Sequence, residues 1–112
     1  MTKEKASESP LACNLGAMTV KQRERHRTLG RELREAIAEI RELPEGFEFL
    51  LPSKAWAMAA EFVALERLCC PFVRFRLDLK EEGGPCRLTL TGREGVKEFL
   101  RLELGLTARL PL

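Results

Sequence analysis

At Pro71 the hydrophobic repeat of the chain changes, and few features constrain a fold more. Before it, Ala55, Met58, Phe62, Leu65 and Cys69 recur at three- and four-residue intervals, the repeat of a helix with one apolar stripe. Trp56, Ala59 and Val63 lie beside that stripe, and so broad an apolar face predicts a helix buried on more than one side. After it, Val73, Phe75, Leu77 and Leu79 alternate with Arg74, Arg76, Asp78 and Lys80, the two-residue repeat of a strand with one buried face. A proline ring clashes with a helical backbone at the preceding residue. The helix therefore ends at Cys69, Cys70 is extended, and helix becomes strand within a few residues.

The remaining elements follow from similar punctuation. Phe47–Leu51 is a short strand stopped by Pro52, and Ser53 is placed to cap the helix that runs to Cys69. Glu81-Glu82-Gly83-Gly84-Pro85 is a turn, after which Cys86, Leu88 and Leu90 alternate again, which makes a hairpin. Thr91-Gly92 leads into a last helix carrying Val96, Phe99, Leu100 and Leu104, closed by Gly105. Leu106–Leu112 is expected to add an edge strand or to pack on a partner. In front, Thr19 and Gln22 form a capping box, each side chain satisfying the other residue's backbone donor. Leu29, Leu33, Ala36, Ile37 and Ile40 continue as a helical stripe, which Pro44 and Gly46 end. Gly30 weakens the middle of this helix and marks a close contact.

The predicted order is α-β-α-β-β-α. It describes an α+β fold, a small antiparallel sheet packed with helices on one face. The β-α-β-β-α part is a ferredoxin-like relative with its last strand missing or shortened and a long helix in front. Residues 1–12 read as a flexible arm and 13–112 as a single domain, which suits a chain of 112 residues.

A net charge of +2 and a pI near 8.4 set up no strong field for nucleic acid or membrane. The sequence has no apolar run near the roughly 20 residues of a spanning helix. MTKEKASESP lacks the apolar centre of an export signal, so a cytoplasmic protein is expected. One Asn, one Gln and many charges fit a thermophile. In a chain without an export signal, four cysteines point to metal or redox use rather than to structural disulfides.

Cys69 and Cys70 put two soft donors at a bend in the backbone. They suit Zn(II), Hg(II), Cu(I) or As(III), although a closed tetrahedral zinc site needs two more ligands. The competing reading is two small buried hydrophobes, which fits Cys69 on its stripe better than Cys70 off it. Cys13, ahead of the long helix, is the candidate third ligand or else an exposed thiol. Cys86 falls opposite Leu79 in the hairpin, roughly 20 Å from Cys70 at about 3.3 Å per residue, and reads as core. His26 borders the apolar face with Leu29 and Leu33, where hydrogen-bonded packing is the commoner role and metal ligation the other. Glu66 shares the side of Cys69 and Cys70 as a fourth donor or an acceptor behind the ligands. The reading favoured for it is an exposed partner of a neighbouring base.

Lys21, Arg23, Arg25, Arg27 and Arg31 crowd the first turns of a helix, where the dipole prefers anions. A solvated face is the default, and compensation of a thiolate cluster the alternative. Nucleic acid ranks low, because base-reading and stacking residues are absent. The sequence also lacks a C-x-x-C pair, a Gly-rich phosphate loop and a nucleophile elbow, which leaves classical enzyme chemistry with little support. Thiolate formation at a helix C-terminus is disfavoured by the dipole, whereas a bound cation is favoured there.

Glu66-Arg67-x-Cys69-Cys70-Pro71-Phe72-x-x-Phe75 resembles the E-R-x-C-C-P-F-x-x-F motif of a group of small, uncharacterised bacterial proteins. It is similar to a segment behind the DNA-binding part of some metal-responsive MerR-type regulators. The resemblance continues through the hairpin into Leu90-Thr91-Gly92-Arg93-Glu94-Gly95-Val96-Lys97-Glu98-Phe99-Leu100 and includes an early cysteine matching Cys13. It covers residues 13–104 and implies heavy-metal handling. The helix-turn-helix of those regulators has no counterpart in front of this segment. Binding of a thiophilic metal ion for sensing, buffering or delivery is thus the leading expectation. The alternatives are a thiol-redox protein exchanging Cys13 with Cys69 or Cys70, and a non-catalytic module, with a homodimer formed through the long helix or the tail.

Overall fold

Thr19 opens the first helix as its sequence predicts. Its hydroxyl accepts the Gln22 N–H at 3.1 Å and the Gln22 side chain accepts the Thr19 N–H at 2.9 Å. A computed structural model describes residues 10–106, and it begins the secondary structure with this helix, α1 (Val20–Ala36), after a short 3-10 turn at Leu15–Ala17. The predicted extension of α1 through Ile37 and Ile40 is overturned. Ile37 is already extended (φ −64°, ψ 124°), and Glu39–Leu43 is a strand, β1. A two-residue turn at Pro44-Glu45 folds it back on β2 (Gly46–Leu51), with Ile40 opposite Phe49 and Glu42 opposite Phe47. The Ala38 N–H donates to the Leu50 carbonyl at 2.8 Å, so pairing begins before the strand itself.

A 3-10 turn at Ser53–Ala55, rather than a Ser53 cap, leads into α2 (Trp56–Cys69). Its buried stripe is Ala59, Phe62, Glu66 and Cys69; Trp56 and Leu68 stay exposed, so the helix is covered on one side and not on several. β3 (Arg74–Leu79) and β4 (Cys86–Thr91) form the expected hairpin, with Cys86 opposite Leu79. α3 (Val96–Glu103) closes at Gly105 in the left-handed conformation (φ +70°) that glycine tolerates. The actual order is therefore α-β-β-α-β-β-α, one strand more than the sequence predicts.

The four strands lie in the order β1-β2-β4-β3, every neighbouring pair antiparallel. β2, α2, β3 and β4 make the ferredoxin-like unit, a split β-α-β in which β4 lies between β2 and β3. β1 takes the free edge of β2 that a final strand would otherwise occupy. Phe47, Phe49, Leu51, Cys86, Leu88 and Leu90 turn one face to the helices. Arg41, Arg74, Arg76, Asp78 and Arg87 stand on the other. Lys97 and Arg101 of α3 pair with Glu42 at 2.7 and 3.1 Å and lie over the Phe47 ring. Leu11 and Cys13 pack partly buried against the core. The expectations for residues 1–9 and for the tail beyond Leu106 fall outside the described residues.

Two glycines separate conformational need from accident. A Cβ on Gly46 would overlap the Leu90 carbonyl oxygen, a backbone atom that cannot yield. On Gly30 it would meet Phe62 at 3.6 Å, ordinary contact, so the predicted close approach is not what keeps a glycine there. Gly46→Ala should therefore lose about 1–3 kcal/mol of stability or more. Gly30→Ala should gain about 0.5–1 kcal/mol. Urea denaturation of the two variants measures both signs.

Candidate metal centre

The end of α2 builds the site. Cys70 leaves the helix at φ −129°, ψ 67°, and the change of direction swings its side chain towards that of Cys69, Sγ to Sγ 3.8 Å. The last carbonyls of a helix have no partner within it. Here the Cys69 carbonyl accepts the N–H of Asn14 at 3.0 Å, and this bond draws the N-terminal segment onto the helix end. Cys13 then lies with its Sγ 3.9 Å from that of Cys70. Leu11 and Met18, packed against the core on either side, hold the segment in place.

The three sulfurs lie within 4.8 Å of one another, Cys69 and Cys70 buried and Cys13 partly exposed. Zn–S bonds of about 2.3 Å at tetrahedral angles put neighbouring sulfurs about 3.8 Å apart. The Cys69–Cys70 and Cys13–Cys70 pairs thus already stand at the separation of a coordination sphere. Cys70 is wholly buried, although its place off the helical stripe suggested otherwise. Cys86 is core, 1% exposed, with its thiol directed at the Pro52 carbonyl.

A second set of donors shares Cys69. His26, Glu66 and Cys69 also bring their ligand atoms within 4.8 Å of one another. His26 comes from α1 and Glu66 from α2, and His26 Nε2 meets Glu66 Oε1 at 2.5 Å. The imidazole stacks on Phe62, ring centroids 5.0 Å apart. Glu66 is 2% exposed, which overturns its reading as an exposed partner of a base. A carboxylate can be buried there because the imidazole satisfies it. Nearby, Arg25 clamps Glu61 with two bonds of 2.7 Å, so one cation of the basic series joins the two helices instead of standing free in water.

All three thiols hold their protons more tightly than usual. Burial pushes Cys69 up to about 12, and the Glu66 carboxylate adds to it. Burial and then Glu66 push Cys70 up as well. Cys13 rises through burial and the charge of Glu103. Three thiolates here would face the Glu66 and Glu103 carboxylates and the negative end of α2, so their charge calls for an offset. A cation supplies the offset, so the arrangement could hold a metal ion and is poorly suited to keep a free thiolate.

Sequence reasoning named all five donors and grouped Cys13 with Cys69 and Cys70, but it did not pair His26 with Glu66. His26 and Glu66 lie 40 positions apart, and their one shared signal is a place on the inner stripe of their own helices. Comparison with family models, curated proteins and solved structures finds no match.

Two outcomes follow from this geometry. His26→Ala leaves the Glu66 carboxylate buried without its imidazole and should cost about 2–3 kcal/mol. His26→Ala/Glu66→Gln should recover part of that loss in the same denaturation assay. The raised thiols also make the metal-free protein alkali-sensitive. The unfolded chain ionises its cysteines first, so stability is intact below the ordinary thiol value of 9.0 and falls as pH climbs towards about 12. Melting curves from pH 8 to 11 should show this decline, smaller in Cys69→Ser.

Proposed function

We propose that the protein binds a thiophilic metal ion through Cys13, Cys69 and Cys70, and that it senses, buffers or delivers that ion. Zn(II), Hg(II), Cu(I) and As(III) are the ions whose preference for sulfur fits the donors. The observation that carries the proposal is the convergence of sulfurs from segments 57 positions apart. They meet at the buried C-terminus of a helix, where a cation is favoured. His26 and Glu66 adjoin as a fourth donor or as the pair that orients Cys69. The resemblance of Glu66–Phe75 to the E-R-x-C-C-P-F-x-x-F proteins implies the same chemistry. In the thiol-redox reading, Cys13 and Cys70 at 3.9 Å are close enough to join after small movements. It ranks second because exchange proceeds through thiolate, which burial disfavours at all three positions.

The test is a titration of the reduced protein with Zn(II), Hg(II) and As(III), followed by sulfur-to-metal absorption bands. One equivalent should bind. Cys13→Ser, Cys69→Ser and Cys70→Ser should each abolish or strongly weaken binding, and Cys86→Ser should not. The pH dependence identifies the thiols as the donors. Zn(II) or Hg(II) must expel up to three thiol protons, so the apparent affinity should rise by up to about a thousandfold per pH unit through neutrality. Arsenous acid condenses with three thiols to give As(SR)3 and three waters, with no net proton, so its affinity should stay flat over the same range. Absence of thiol-dependent binding of any of these ions would sink the proposal.

A further inference from the structure

Beside the thiols, and bordered by His26 and Glu66 of the candidate metal centre, lies a second feature. An open cavity of about 690 Å3 separates α1 from the sheet and from the residues that follow α3. Its size falls in the range of small-molecule sites, roughly 300–1,000 Å3. The walls are apolar, formed by Leu33, Ile37, Ile40, Phe49, Leu88 and Leu104. Its lining also includes Arg27, Arg31 and Arg34. Spaced four and three positions apart, these arginines follow one edge of α1 over about 10 Å. Among the described residues none of the three forms an ion pair, unlike Arg25, Arg41 and Arg101. Of the acids that line the cavity, Glu66 is engaged by His26 and Glu103 stands alone against the three guanidinium groups.

We propose that this cavity binds a small amphiphile, an aliphatic chain of fatty-acid length ended by a carboxylate, with the chain against the apolar walls and the head group on Arg27, Arg31 and Arg34. The charge at the rim and the polarity of the walls select this class over others. A planar guanidinium takes a carboxylate through two parallel hydrogen bonds. A cationic head would meet three like charges, and a neutral chain would leave them unused. The arginines belong in part to the basic run that the metal site does not require. Gly30, which close packing does not demand, lines the same cavity, so a long side chain there would enter it.

The experiment uses the full, reduced, metal-free chain and calorimetric titration with dodecanoate, dodecanol and dodecyltrimethylammonium below their micelle concentrations. Dodecanoate should bind one to one, about tenfold or more tighter than the other two, the worth of one charge-assisted hydrogen bond. Arg31→Glu/Arg34→Glu should remove that preference. Gly30→Leu, which fills the cavity and improves helix propensity, should block binding while circular dichroism shows the fold retained. Cys13→Ser should bind dodecanoate like the wild type, which separates this site from the thiols. Equal binding of the three amphiphiles, no saturable binding, or binding indifferent to both the arginine and the Gly30 changes would overturn the assignment. So would a dimer that Gly30→Leu dissociates, since the cavity would then belong to a second copy of the chain.

Discussion

Proline has no amide hydrogen, and its ring keeps the preceding residue out of the helical region. In this protein that restriction falls on Cys70, at the one junction where a helix feeds the antiparallel hairpin. The Glu66 carbonyl takes the last helical N–H, from Cys70 at 2.8 Å, and the Val73 N–H returns to the Cys70 carbonyl at 3.2 Å. The chain is thereby turned within four residues. Two consequences share this bend: β3 enters the sheet beside β4, and two adjacent thiols face one point. The Cys69 carbonyl, without a partner inside the helix, then captures Asn14, and with it the third thiol. Fold and site hang on the same few backbone groups.

The two helices that frame the site are joined by polar contacts as well as by packing. Arg25–Glu61 lies at the surface and contributes little to stability, as exposed pairs do. His26–Glu66 is different, because the carboxylate is cut off from water and the imidazole beside it is its partner. That pair reaches Cys69, so a change in the charge of the thiol cluster is felt at the contact between α1 and α2. An ion held by the thiols would thus be coupled to helix packing through one buried carboxylate. This is the simplest route by which a bound ion would alter the shape presented to a partner.

The cavity beside this contact shows what the fold does not optimise. Among the described residues, apolar walls, three arginines without an ion pair and a helical glycine are arranged around open space. Buried apolar area is what stabilises a small domain.

Much was legible in the sequence. The capping box at Thr19 and Gln22, the end of a helix at Cys69, the hairpin with Cys86 opposite Leu79, and the closure at Gly105 are local or period-two signals. Short-range sterics and hydrogen bonds decide them almost alone. β1 was not legible, because Ile37 and Ile40 fit a helical repeat as well as a strand, and the open edge of β2 decided between them. The burial of Glu66 and of Cys70 was likewise hidden, since each depends on a neighbour from another element. The sequence by itself thus determined where the chain must turn and which residue types could bind an ion. Only the tertiary structure decided that Cys13 meets Cys69 and Cys70, that His26 meets Glu66, and that α1 stands off the sheet to leave a cavity. Contacts between distant segments depend on how whole faces pack, and no local pattern carries that information.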